Sequence, residues 1–388
     1  TRYLNTIKPN KNLVLMSGTP VTNTLGEVYS IQRYLQPDVL ESNSISSFDA
    51  WTSTFADTDT QLEMAANGAF KAQTRMTQFS GLPGLMRDFL QVADILTSED
   101  ISKSAQVKRP NVKDGKMEIV SVPITEQMRE FQKGLGARLD AIAERKGPPQ
   151  KGMDIVPTVI MDGELAALDM RLVGEPVNQG ESKLERAIAE VYKTWDASKD
   201  KVYYGKKNIK EPLTGSTQLI FTDLRAPKPG VSLIPDIYEY IREQLVSLGV
   251  PKDEIAFIQD YKDDNKKREL FKHVNTGKVR IVLGGTRNLG TGVNVQQRLE
   301  RIHHLTTPYM PSELEQRDGR GIRQGNKNDE VQLSAYVTEG TVDAFKYQLL
   351  ENKDRMIKKL MKGDFSVHEV EDLGSSDGLA MAKAIASG

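Results

Sequence analysis

The chain has 388 residues, with 53 acidic and 52 Lys or Arg side chains, a formal net charge of −1, 38% hydrophobic residues and no cysteine. Composition of this kind is ordinary for a globular protein with a sizeable core, and the length suggests two domains or one large domain with appendages. It excludes disulfides, cysteine metal sites and a global field that would draw in nucleic acid, so any such attraction must come from local patches.

The first residues, TRYLNTIKPNKN, hold no apolar signal core. No apolar run reaches the roughly 20 residues that span a bilayer. Both ends read as cut from something longer. NLVLMSGTP predicts a short buried strand over residues 13–16, running into a turn closed by Pro20. In LGEVYSIQRYLQP, Leu25, Val28, Ile31 and Leu35 recur at helical spacing, and Pro37 ends the helix. Residues 38–117 are rich in Ser, Thr, Asp and Met and read as an irregular, mostly helical insert.

KMEIVSVPI predicts a strand, and TEQMREFQKGLGARLDAIAERKG a helix with Thr125 as its N-cap. After a Pro- and Gly-marked loop at 147–152, ESKLERAIAEVYKTW is an amphipathic helix. The basic YYGKKNIKEPLTGS is a surface loop or hairpin. From there the alternation is regular. TQLIFTDL, EIAFIQ, KVRIVLGG, RIHHLT and VQLSAYVT read as strands. IPDIYEYIREQLVSLG, DNKKRELFKHVNTG, a broken SELEQRDGRGIRQG and a long final TVDAFKYQLLENKDRMIKKLM read as helices. Short β-branched runs between helices argue for an α/β fold with a parallel sheet. The adjacent His303 and His304 should point to opposite faces of their strand, and four histidines are too few and too scattered for a metal cluster.

In open α/β sheets function gathers at the carboxyl ends of the strands. The unusual residues fall there. After VRIVLG comes GTRNLGTGVNV, whose glycines would let backbone N–H groups approach a phosphate. A tight turn is the plainer account of that loop, and the chain has no G-x-x-x-x-G-K-[ST] loop. Next, Arg317, Arg320 and Arg323 recur at steps of three among Gly319, Gly321 and Gly325. Guanidinium groups suit phosphate oxygens, and Arg320 and Arg323 would share one helical face. For an RxxR pair alone, a solvated basic face is the simpler reading.

The order of the blocks adds to this. SGTPVTNTLGEVYS, LIFTDL, TRNLGTGVN, QRDGRGIRQGN and TEGTVDAF follow one another as motifs III, IV, V and VI and the succeeding element do in superfamily-two helicases. The chain thus resembles the carboxyl-side half of such a helicase, nearest the Swi/Snf-type translocase branch. GRGIRQGN stands where that branch more often reads HRIGQ, which points to helicase proteins fused to DNA methylases in phage and plasmid antirestriction systems.

The resemblance implies a RecA-like parallel sheet flanked by helices. Residues 1–37 would be the tail of a first lobe, 38–117 an insert, 118–345 the second lobe and 346–388 a bracing helix and tail. It implies ATP and Mg²⁺ as cofactors of the complete protein, with the Walker A lysine and acidic pair on a first lobe outside this chain. It implies Arg320 and Arg323 as arginine fingers. Gln316, Gly319, Gly290, Gly292, Asn294, Ser17, Gly18 and Thr19 would bind nucleotide or couple the lobes, and Thr222, Thr286 and Arg287 would contact nucleic acid. Duplex DNA, the first lobe and a fused or associated methylase are the implied partners of a bacterial or phage-encoded protein that is cytoplasmic and nucleoid-associated. A non-hydrolysing nucleic-acid- or partner-binding module with the same fold is the alternative.

Overall fold

Seven parallel strands form the central sheet of the computed structural model, which describes residues 13–24, 26–64, 70–96, 108–224, 230–290, 292–361 and 370–371. The strands are β3 (Asn111–Val112), β4 (Glu118–Val122), β5 (Thr217–Phe221), β6 (Ile255–Phe257), β7 (Ile281–Gly284), β8 (Leu299–His304) and β9 (Glu330–Thr338). Their order is β3-β9-β8-β5-β7-β6, with β4 also paired to β9 beyond β3. Every pairing in this sheet is parallel. The fold is therefore α/β, a parallel sheet flanked by helices, as the alternation predicts.

Strands buried on both faces carry continuous apolar runs, and β5 and β7 are buried at every position. The period of two sorts β5 between two cores. Ile220 joins one core with α7 (Lys183–Ala197) and α8 (Ile237–Ser247), while Leu219 and Phe221 join the other with α9 (Asp264–Thr276). The predicted cap at Thr125 is in place, and the structure adds one at Ser182. Thr125 accepts from the Met128 N–H at 3.2 Å to start α5 (Glu126–Ala143), and Ser182 with Glu185 forms a capping box on α7.

Two expectations need correction, and one helix was not expected. Residues 13–16 form no strand; Val14 and Met16 are largely exposed, and no described strand pairs with this segment, so its polar backbone has no ladder to join. The insert at 38–117 is not mostly helical. Its short helices α1 (Gly26–Leu35, entering from before it), α2 (Pro37–Ser42), α3 (Phe48–Phe55) and α4 (Leu82–Leu90) frame a long antiparallel pair, β1 (Ala56–Met64) with β2 (Phe70–Phe79). Threonines at alternate positions 58 and 60 are the β signal there. Finally, α6 (Val156–Leu168) has no counterpart among the predicted elements. It is apolar on nearly all sides and packs against α5 and the last helix, so it shows no 3.6-residue stripe.

A separate core away from the large sheet gathers Val28, Trp51, Phe55, Phe79 and Leu85. Trp51 is fully buried and its Nε1 donates to Gln32 Oε1 at 2.9 Å. The last long helix, α12 (Val342–Met361), reaches from the large sheet into this core through Met356. β10 (Val370–Glu371) then pairs with β2. The first twelve residues, Leu25 and the segment after 371 lie outside the described residues, and with them the expectations about the two ends.

Candidate functional site

Because the sheet is parallel, the residues that follow β5, β7 and β8 meet along one edge. There Asp223, just after β5, accepts from the Thr286 N–H at 2.7 Å and from Thr286 Oγ1 at 2.8 Å. Thr286 opens the single-turn α10 (Thr286–Leu289) after β7. From α11 (Pro311–Asp318), Arg317 donates to Asp223 Oδ2 at 2.6 Å, to the Thr306 carbonyl at 2.7 Å and to Thr286 Oγ1. Its guanidinium lies 5.2 Å from the Phe221 ring centroid and is fully buried. Burial lowers its pKa, and Asp223 opposes that shift. An always-charged, forked side chain is suited to such a site, since it satisfies three acceptors at once. Beside it, buried His304 turns Nε2 to Asp318 at 2.8 Å, while His303 faces Tyr336 and Gln218 on the other side of the sheet.

This network revises two of the expected nucleic-acid contacts. Thr222 is fully buried, and its hydroxyl donates to the Leu224 carbonyl at 3.0 Å. Thr286 is spent on Asp223 and Arg317. Neither presents a hydroxyl to a ligand, because each lies under the sheet edge rather than on it. Arg287, on α10, is exposed. Asp223 and Arg317 were not among the expected site residues. Their only signal in sequence is position: an Asp directly after a buried strand, and the first of three arginines.

The arginine stretch also departs from expectation. α11 ends at Asp318 with Gly319 as its C-cap, so Arg320 and Arg323 sit in the following turn and share no helical face. The turn is forced by packing: a Cβ at Gly321 would come 2.8 Å from Val331 Cγ1 and 3.1 Å from Ile302 Cδ1. Arg320 is half-buried and docks on the glycine-rich loop, donating to the Val293 carbonyl at 2.8 Å and to the Gln316 carbonyl at 3.2 Å. Burial, then the charge of Arg323, lowers its pKa. Arg323 is exposed, and no hydrogen-bond or ion-pair partner holds its side chain among the described residues. In the same loop Gly292 is exposed at φ +68, with open space where a Cβ would be. Asn294 is exposed and its carbonyl accepts from Asn275 at 2.8 Å. Gly290 caps α10, where a Cβ would strike the Thr286 carbonyl at 2.5 Å.

Ser17, Gly18 and Thr19 come to the same part of the molecule. With Pro20 and Val21 they line a cleft of about 460 Å³ against Pro311, Ser312 and Glu315 of α11, Asp354 and Lys358 of α12, and the 94–96 segment. Neither Arg320 nor Arg323 lines this cleft. Partial desolvation raises the Glu315 pKa, with Lys358 opposing and Asp354 adding to the shift. The rest of the SGTPVTNTLGEVYS block is explained by folding. The Glu27 carboxylate accepts from the Thr22 N–H at 2.6 Å and from Asn23 at 3.2 Å. Asn23 Oδ1 accepts from the fully buried Lys353 ammonium of α12 at 2.9 Å. The block is thereby clamped onto the last helix. Among the described residues there is no group of three or more His, Asp or Glu that could hold a metal ion, and no helix long and apolar enough to cross a membrane.

Comparison with known proteins finds a likeness in one part of the sequence. Residues 5–97 match the family model of a probable helicase domain. Over 90 residues the chain is 32% identical to the defense against restriction protein B of Escherichia phage P1, a match that covers 23% of this chain and 4% of that protein. The chain therefore spans a small fraction of the relative's length. Among solved structures, the C-terminal part of the Fun30 ATPase domain is similar with a TM-score of 0.44 and 12% identity, covering 66% of this chain and 99% of that one. The DUF1998 helicase MrfA bound to DNA aligns with a TM-score of 0.32 and 14% identity over 46% of this chain and 22% of that one.

Proposed function

We propose that this chain is the carboxyl-side part of an ATP-dependent DNA helicase or translocase of the antirestriction kind. Its carrying observation is the shared cleft, in which residues 17–20 face α11, the helix whose following turn bears Arg320 and Arg323. The probable-helicase match over residues 5–97 supports the same reading from the sequence side.

The donor set of the turn fits a phosphate: one exposed guanidinium, a second half-buried beside it, and an open glycine next to its anchor. For Mg²⁺, no three Asp, Glu or His side chains come together among the described residues. ATP, when bound, supplies the phosphoryl group whose transfer drives the cycle. Arg323 reaches toward the phosphate and Arg320, held by Val293, fixes the height of the turn. Arg317 keeps the turn in register with β5 and β7. Residues 17–23, clamped by Glu27 and Lys353, pass cleft closure to the last helix. The phosphate-cradling lysine and the metal ligands belong to a first lobe supplied by a further part of the polypeptide. Duplex DNA is the substrate that this reading favours, with a fused or associated methylase as a partner.

The test is ATP turnover with Mg²⁺ and DNA. This chain alone should show none, and the polypeptide that carries both halves should be active. Turnover by the isolated chain would misplace the active site. A lack of turnover in every combination, with nucleic-acid affinity retained, would favour the non-hydrolysing binding module.

A further inference from the structure

The hairpin between α7 and β5 lies far from the arginine turn and the cleft. Its Tyr204 and Lys210 form an isolated antiparallel bridge, and the Gly205 N–H donates to the Ile209 carbonyl at 2.8 Å. It precedes the first residue of β5, and its anchors precede the first residues of β8 and β9. In a parallel sheet this is the amino-end edge. Asp223, Thr286 and the arginine turn occupy the opposite one, a strand length or roughly 16 Å away.

The base of the hairpin is rigidly built. Fully buried Arg298 donates to Glu211 Oε2 at 2.6 Å and to the Thr214 and Gly215 carbonyls, each at 3.4 Å. Lys327 pairs with the other oxygen of Glu211. Buried Tyr203 donates to Asn328 Oδ1 at 2.8 Å, with Arg298 over its ring at 4.8 Å. The only carboxylate in the hairpin is thus consumed at its base. The tip is strained: Lys207 and Asn208 stand at φ +60 and +57, a left-handed pair for which glycine is the low-cost residue. Strain of this sort persists where the surroundings over-determine it, and it gathers at functional positions. Around the tip Tyr204, Lys207, Asn208, Ile209 and Lys210 are exposed, and Lys207 and Lys210 have no ion-pair partner among the described residues.

We infer that this hairpin is a second nucleic-acid contact, gripping the phosphodiester backbone with Lys207 and Lys210 while Tyr204 packs on the sugar–base surface. Charge complementarity selects the ligand, since the tip offers cations and an aromatic face with no compensating carboxylate. It also provides a reason for lysine at a position that favours glycine: the strain holds a cation at the apex. The contact does not depend on ATP or on the arginine turn.

Binding of a fluorescein-labelled duplex and of a labelled single strand, followed by anisotropy across a salt series, tests it. Each phosphate contact contributes about 0.9 to the slope of log affinity against log salt on duplex DNA. The double variant Lys207→Gln/Lys210→Gln should bind more weakly and lose about 2 from that slope. Lys207→Gly should bind more weakly while melting at a higher temperature, because it removes the cation and relieves the backbone together. An arginine-turn variant, Arg323→Ala, should leave the slope difference between hairpin variant and parent intact. Affinity and slope equal to the parent in both hairpin variants would overturn the inference and leave the tip as a docking surface for an acidic protein.

Discussion

Replacing Arg317 by methionine separates the three arginines of the stretch most sharply. The substitution keeps most of the volume but removes every donor that Thr286, Asp223 and the Thr306 carbonyl share. Breaking a fully buried ion pair costs about 3–5 kcal/mol. Here the Asp223 side chain is 47% exposed, so water can replace part of what it loses. What remains is an orphaned buried carbonyl, about 1–3 kcal/mol, and the cation–π contact with Phe221, about 0.5–2 kcal/mol. The expected loss is therefore about 2–4 kcal/mol, which moves a urea midpoint down by roughly 1 M at ordinary slopes. Arg323→Ala, at an exposed and unpartnered position, should stay within about 0.5 kcal/mol of the parent. Urea titration followed by circular dichroism measures both. Equal midpoints for parent and Arg317→Met would refute the reasoning, as would a comparable loss in Arg323→Ala.

Two further outcomes follow from buried polar groups. Asn23→Leu removes one acceptor of the buried Lys353 ammonium and should cost about 1.5–3 kcal/mol, the usual worth of a hydrogen bond to a charged group; a melting temperature equal to the parent's would show that the block at 17–27 is not clamped to α12. His303 is fully buried, with Nε2 donating to Gln218 Oε1 at 2.9 Å and Nδ1 accepting from Tyr336 Oη at 2.7 Å, and burial holds its pKa well below the usual value. Below about pH 6.5 the unfolded chain takes up a proton that the folded chain refuses. Stability from this group is thus complete above that pH and declines as pH falls, by about 1.4 kcal/mol per unit. The slope of unfolding free energy between neutral and mildly acid pH should be shallower by that amount in His303→Gln, and identical slopes would mean that the imidazole is charged in the fold.

The large sheet was legible in the sequence because its strands are short, β-branched and flanked by amphipathic helices, one with its cap at Thr125. Elements that lack those signals escaped. α6 is apolar on most sides and so has no stripe, and β1–β2 is a polar, threonine-rich pair whose only cue is alternation. The segment at 13–16 has the composition of a buried strand, yet composition does not supply a partner. At the site, spacing in the sequence did not carry the geometry. Periodicity placed Arg320 and Arg323 on a helix, whereas close packing of Gly321 on Val331 ends that helix early. Thr222 and Thr286 were expected at nucleic acid because the helicase resemblance implies it. Here Leu224, Asp223 and Arg317 claim them first, and tertiary neighbours of that kind leave no trace in spacing.

The central claim is that the turn after α11 completes a nucleotide site formed with another part of the polypeptide. DNA-stimulated ATP hydrolysis by the polypeptide carrying both halves, compared with its Arg323→Ala variant, tests it most directly. An arginine that meets the transferring phosphoryl group should lower kcat by about 10³-fold or more when removed and leave KM for ATP nearly unchanged. An unchanged kcat would contradict the claim and return the arginine turn to a solvated surface.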